Sequence, residues 1–181
     1  EVIIFAENTK SMSIEERQRG FTERIGSEYP QISVSGVYYM DSLEQIKRLI
    51  VQESEVGIAG GAGSGEGMVV DEAAIAEITD EEALDYILER HPDIAGCFAT
   101  DGTTVKKVTD ALARAERTNV TVVAYDGMPE EIEALEDGDI DGLVVQNPFG
   151  MGYASVVAAA RAALDMGNEA YVDTGVTWME N

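Results

Sequence analysis

Three apolar runs in the second half of the sequence end in polar residues that could hold a small ligand. IAGCFAT ends at Asp101, VTVVAY at Tyr125 and Asp126, and GLVV at Gln146. In an open α/β sheet, ligands sit outside the carboxyl ends of parallel strands. The implied chemistry is polar recognition. An ionised carboxylate accepts hydrogen bonds only, whereas an amide both donates and accepts. Asp126 follows an uncharged strand and precedes Gly127, so its carboxylate is either a two-pronged acceptor for ligand hydroxyls or the N-cap of the next helix. Tyr125 offers an aromatic face to C–H surfaces, or else a core side chain.

Other chemistries lack their parts. There is one His and one Cys. Cys97 lies inside an apolar strand and His91 ends a helix before Pro92, so neither zinc ligation nor a Cys/His nucleophile is expected. Asp137, Asp139 and Asp141 with Gly142 imitate the start of a calcium loop, but Pro148 stands where the closing Glu belongs. GIAGGAGSGEG fits neither a dinucleotide fingerprint nor a phosphate loop, and its composition is that of a linker. A glycosidase using Asp101 and Asp126 is disfavoured because no further catalytic group converges on them. We therefore expect no catalytic residues, no metal and no cofactor.

These tips need a parallel sheet beneath them. Strand-length apolar runs alternate with helical periods, the pattern of an α/β fold. Strands are expected at 2–6, 32–38, 94–100, 120–125, 142–145 and 170–178. Helices are expected at 13–27, 41–52, 79–90, 103–116, 129–136 and from Pro148 towards Met166. Ser13 with Glu16, and Thr79 with Glu82, have capping-box spacing. Gly138 is expected to close one helix, and Asn147-Pro148 to open another. Phe149, Tyr153, Val156, Val157, Ala160 and Leu164 stripe that last helix. Residues 54–77 interrupt the rhythm and read as an insertion. Its MVVDEAAIAE end is compatible with a strand or a helical turn.

The chain carries 35 acidic and 12 basic residues among 181, a formal net charge of −23. That argues against nucleic-acid partners, which call for clustered Lys and Arg. No signal peptide is visible and no apolar run reaches membrane-span length. Glu1 leads directly into a strand, and we read the chain as an excised domain.

HPDIAGCFATDG, VVAYDGMP and VVQNPFGMGY together resemble the second lobe of type I periplasmic binding proteins, the ribose-binding-protein-like sugar receptors of ABC importers. RQRGF resembles that family's R-x-x-G-F, and VDTGVTWMEN its return strand. The resemblance implies a three-layer α/β sandwich with a mostly parallel, flavodoxin-like sheet. Residues 1–146 would be the second lobe, and 147–181 the hinge, crossover helix and return strand. It implies that Arg17 reaches the ligand, that Asp126 accepts from sugar hydroxyls, that Tyr125 stacks on the sugar and that Gln146 is the hinge glutamine. Asp101 and Gly102 replace the family's Asn-Asp, exchanging an amide for an acceptor-only carboxylate. That favours a polyol or a cationic ligand over an anion. Tyr39 and Asn8 are candidates by strand-end position alone. Arg17 on a Glu-rich helix also has a plain reading as a surface ion-pair partner.

The expected function is recognition of a monosaccharide-like solute without catalysis. The implied partners are a first lobe outside this sequence and importer membrane subunits, with an extracytoplasmic location for the parent protein. The effector domain of a lactose-repressor-like regulator and a sensor-kinase ectodomain are the alternatives. Without a first lobe, the 148–166 helix would leave its stripe exposed and favour a homodimer.

Overall fold

The structure, a computed structural model, describes residues 1–58 and 71–181. The Gly-rich run expected to be a linker lies almost wholly outside the described residues. Six strands form one sheet: β1 (Val2–Ala6), β2 (Val34–Tyr39), β3 (Gly96–Ala99), β4 (Thr121–Asp126), β5 (Gly142–Gln146) and β6 (Val176–Glu180). Their order is β2-β1-β3-β4-β5-β6. The first five are parallel, and β6 runs antiparallel beside β5. The helices are α1 (Met12–Glu28), α2 (Leu43–Ile58), α3 (Glu72–Glu77), α4 (Asp80–Arg90), α5 (Gly102–Arg114), α6 (Pro129–Asp137) and α7 (Pro148–Ala163). This is the expected α/β sandwich with a flavodoxin-like order.

The chain reverses direction across the sheet after β2. Because crossovers between parallel strands are right-handed, the reversal sends α1 to one face and the later helices to the other. Period-two alternation in the strands matches this division. Ile3, Phe5, Cys97, Ala99, Val122, Ala124 and Leu143 join one core cluster with residues of α2, α4, α5 and α6. Phe98, the alternate residue of β3, instead stacks on Phe21 of α1 with ring centroids 4.6 Å apart. The reversal also creates a switch point between the tips of β1 and β3.

Local chemistry explains most element ends. Thr79 and Glu82 form the expected capping box on α4. Gly138 closes α6 with a left-handed φ of 82°. Asn147 caps α7 by accepting from the Gly150 N–H at 2.9 Å. Ser13, expected as the α1 cap, is already inside the helix. Asn8 Oδ1 accepts from the N–H groups of Lys10 and Ser11, both at 2.9 Å, so the chain turns earlier and Ser11 takes the cap position. Glu16 pairs with Arg19 at 2.5 Å instead of closing a box.

α2 extends beyond the expected residue 52 to Ile58, and the acidic stretch at the far side of the Gly-rich run is the helix α3, capped by Asp71. The final strand starts at Val176 and not at Ala170. Residues before it are held in a turn, with Asp173 Oδ1 accepting from Gly175 N and Gly175 at φ 76°. α7 ends at Ala163, short of Gly167, where Asp165 adopts φ 52°. The helix buries no residue, and Phe149 and Tyr153 are 83% and 67% exposed. The expected stripe is therefore uncovered.

Candidate functional site

The parallel strands bring their carboxyl ends to one edge, and four of the expected residues meet there. Asp126 is the last residue of β4 and Gln146 the last of β5. Arg17, from the first half of α1, reaches across to them. Its Nη2 lies 3.0 Å from Asp126 Oδ1, and its Nη1 donates to the Thr100 carbonyl at 2.6 Å. Its guanidinium carbon lies 3.9 Å from the centre of the Tyr125 ring. Gln146 Nε2 donates to the same Asp126 Oδ1 at 2.5 Å. One carboxylate oxygen thus receives a cation and an amide from two different elements. The side chains of Arg17 and Asp126 are 13% and 26% exposed, so the pair is shielded but open on one side. Arg17 is thus an ion-pair partner, but of Asp126 on a different element and with its own side chain largely shielded.

Asp126 is not the N-cap of α6, because Met128 holds that position. Its backbone has φ 127°, outside the regions that L-residues favour. The next residue must be glycine: Gly127 has φ 92°, and a Cβ there would stand 2.7 Å from Val145 Cγ1. The turn is held by a side chain that the sequence reading did not single out. Glu131 Oε2 accepts from the N–H of Gly127 at 2.6 Å and of Met128 at 2.7 Å. Glu131 stands at the third position of α6, where a Glu reaching back to the cap is a known pattern, so PEE after Met128 was a usable signal. Burial pushes the Glu131 carboxyl above the ordinary Glu range, opposed by its two backbone donors and reinforced by the Asp126 and Asp101 charges.

Asp101 is placed at the same edge, but its oxygens are already engaged. It caps α5 by accepting from Thr104 N at 3.0 Å, and it also accepts from the hydroxyls of Thr100 and Thr104. Its Oδ2 takes the Glu7 N–H at 3.1 Å, which ties the β1 tip to α5 across the switch point. Asp101 is 7% exposed. It does share a crevice with Asp126, as expected of two carboxylates at neighbouring strand tips. That crevice has a volume of about 510 Å³ and is bordered by Glu7, Gly102, Lys106 and Met128. A second crevice of about 640 Å³ opens on the α1 side between Arg17, Tyr125, Gln146, Phe21 and Trp178. The Arg17–Asp126–Gln146 set stands between the two.

Tyr39 and Asn8 do not join this set. The Tyr39 hydroxyl donates to Gln18 at 2.6 Å, and Asn8 forms the turn before α1. Cys97 is buried, and burial pushes its thiol up to about 12. His91 caps α4 and its ring lies 2.5 Å from the Tyr38 hydroxyl. Among the described residues no group of three His, Cys, Asp or Glu side chains is placed to hold a metal ion. Asp141 bonds the Val122 N–H at 2.7 Å, a turn role. No described helix is long and apolar enough to cross a membrane.

Comparison with known proteins places this α/β chain in a family. The sequence model of the periplasmic binding protein domain matches residues 1–169, and the chain belongs to that family. It is 36% identical over 75 residues to the D-allose-binding periplasmic protein of Escherichia coli, covering 39% of this chain and 24% of that protein. It is 30% identical over 76 residues to the ribose import binding protein of the same organism, covering 42% and 26%. A carbohydrate transporter solute-binding protein from Agrobacterium radiobacter, solved with D-arabinose, superposes with a TM-score of 0.65 at 24% identity. That match covers 99% of this chain and 50% of the other. The chain thus spans about half of that structure, and its matches to the curated relatives span about a quarter of their length.

Proposed function

We propose that this chain is one lobe of a two-lobed receptor that binds a neutral monosaccharide-like solute and performs no chemistry on it. The observation that carries this is the Arg17–Asp126–Gln146 set at the carboxyl edge of the sheet. A carboxylate acceptor, a guanidinium donor and an amide lie side by side, matching the alternating donors and acceptors of adjacent sugar hydroxyls. Relatives named for allose and ribose support the sugar class. Asp126 has a second oxygen for a ligand hydroxyl. Arg17 covers one face of Tyr125, so stacking on a sugar falls to the rest of that ring. Asp101 shapes the crevice and contributes its negative field.

In this reading residues 1–146 are the second lobe. α7 and β6 are the crossover and return, and the bare stripe of α7 packs on the first lobe. The receptor works outside the cytoplasmic membrane and delivers its solute to the membrane subunits of an ABC importer. Calorimetric titration of a protein carrying both lobes with D-ribose, D-allose and D-arabinose tests it. Binding of at least one sugar, lost in Arg17→Ala, is expected. Full affinity in Arg17→Ala refutes the site. Half of a crevice forgoes much of the ~70–90% enclosure of a typical ligand pocket, so this chain alone is expected to bind weakly or not at all.

A further inference from the structure

We propose that Glu131 is a positioning residue of the binding site: by clamping the turn after Asp126, it sets the direction in which Asp126 meets Arg17 and the ligand. The inference rests on the sugar-edge reading for its functional meaning, but its geometry stands alone. Asp126 sits at φ 127° and Gly127 at φ 92°, so two consecutive residues depart from ordinary backbone. Such conformations persist only where the surroundings enforce them. The enforcing contacts visible here are the two N–H groups of Gly127 and Met128, both received by Glu131 Oε2.

The other oxygen argues against Glu131 being a helix cap alone. Glu131 is 2% exposed, and its Oε1 is buried with no hydrogen-bond partner among the described residues. A surface Glu at the third helical position performs the same capping without burial. An unsatisfied buried oxygen is unfavourable and calls for a reason. Here it is seated in a niche that exists because residue 102 is glycine. A Cβ on Gly102 would stand 2.8 Å from Oε1 and 3.2 Å from Cδ. The Gly102 niche and the Glu131 side chain fit as key and slot, joining the start of α5 to the turn that carries Asp126. The carboxyl also lies near the charges of Asp101 and Asp126, so burial and two like charges all oppose its ionisation, and only the two N–H donors favour it. A carboxyl so placed is a supporting group in a preorganised site.

Nuclear magnetic resonance on this chain, without any sugar, tests the idea. The probes are the Arg17 Nε–H resonance, shifted by the Tyr125 ring beneath it, and the melting temperature. Glu131→Ala is expected to move the Arg17 resonance towards its free-guanidinium position. Glu131→Gln keeps an oxygen for the two N–H groups and is expected to restore it. Gly102→Ala keeps the carboxyl but fills its niche, and is expected to move the resonance in the same direction as Glu131→Ala. That variant keeps the question open to refutation if Glu131→Ala does not fold. A lowered melting temperature with the Arg17 resonance unmoved in the folded variants would show a helix cap and overturn the proposal. No sugar enters the assay, so its outcome is independent of whether the crevice takes one.

Discussion

Replacing Asp126 by glycine is expected to harm stability less than replacing it by alanine, although glycine removes more atoms. Both substitutions delete the carboxylate that receives Arg17 and Gln146. Losing a hydrogen bond to a charged group commonly costs about 1.5–3 kcal/mol. The low end applies here, because Arg17 keeps the Thr100 carbonyl and the Tyr125 ring, and Asp126 is partly reached by water. The two variants part at the backbone. At φ 127° an alanine retains the strain of its Cβ, and such positions store roughly 1–3 kcal/mol. Glycine releases it but loses about 0.5–1 kcal/mol to the greater freedom of the unfolded chain. The expected difference is therefore about 1 kcal/mol in favour of glycine. For a domain of this size that is a melting temperature ~2–4 °C higher than in the alanine variant. Denaturant and thermal unfolding measure it directly. Equal melting points, or glycine below alanine, would refute the claim that the site holds a strained backbone. In a two-lobed protein both variants should lose sugar affinity together, since affinity follows the carboxylate and not the strain.

Glu131 gives a pH signature. Its carboxyl is raised in the folded chain, so its contribution to stability is complete below the unfolded value of 4.5 and is lost as pH rises through the folded value. Glu131→Gln should flatten that part of the stability–pH curve measured by urea unfolding, and an unchanged curve would contradict the assignment. Cys97, raised to about 12, should react with a disulfide reagent at pH 8 only as fast as the protein opens, and rapid labelling of the folded chain would contradict its burial. The exposed stripe of α7 should make the isolated chain self-associate, with Tyr153→Glu returning it to a monomer in sedimentation experiments. A wild-type chain that stays monomeric at every concentration would reject that expectation.

What the sequence revealed and what it hid divide along the range of the interactions. Thr79 with Glu82, Asn147 before Pro148, and Gly138 were legible because each acts on backbone within three or four residues. The α/β class was legible because apolar runs alternate with helical periods, whereas the flavodoxin-like strand order came from the family resemblance and not from the alternation. Ser13 misled because a competing side chain, Asn8, bent the chain first, and spacing alone does not rank two local turn formers. The start of β6 was hidden because VDTG is strand-like in part, yet Asn147 anchors the Thr174 carbonyl from across the chain.

The same contrast runs through the site. Asp101 and Asp126 look alike in sequence, each an acid at the tip of an apolar strand. They differ in what comes next. After Asp101 a helix starts at once, so Thr104 and the Glu7 N–H across the switch point take its oxygens. After Asp126 the chain detours through Gly127 and Met128, and Glu131 supplies the cap that Asp126 would otherwise have to give. Relieved of that duty, Asp126 is free to face Arg17 and the crevice. A carboxylate at a strand tip is thus available to a ligand only where another residue caps the following helix. By that criterion Asp126, and not Asp101, is the acid we propose to face a ligand, with Glu131 freeing it for that role.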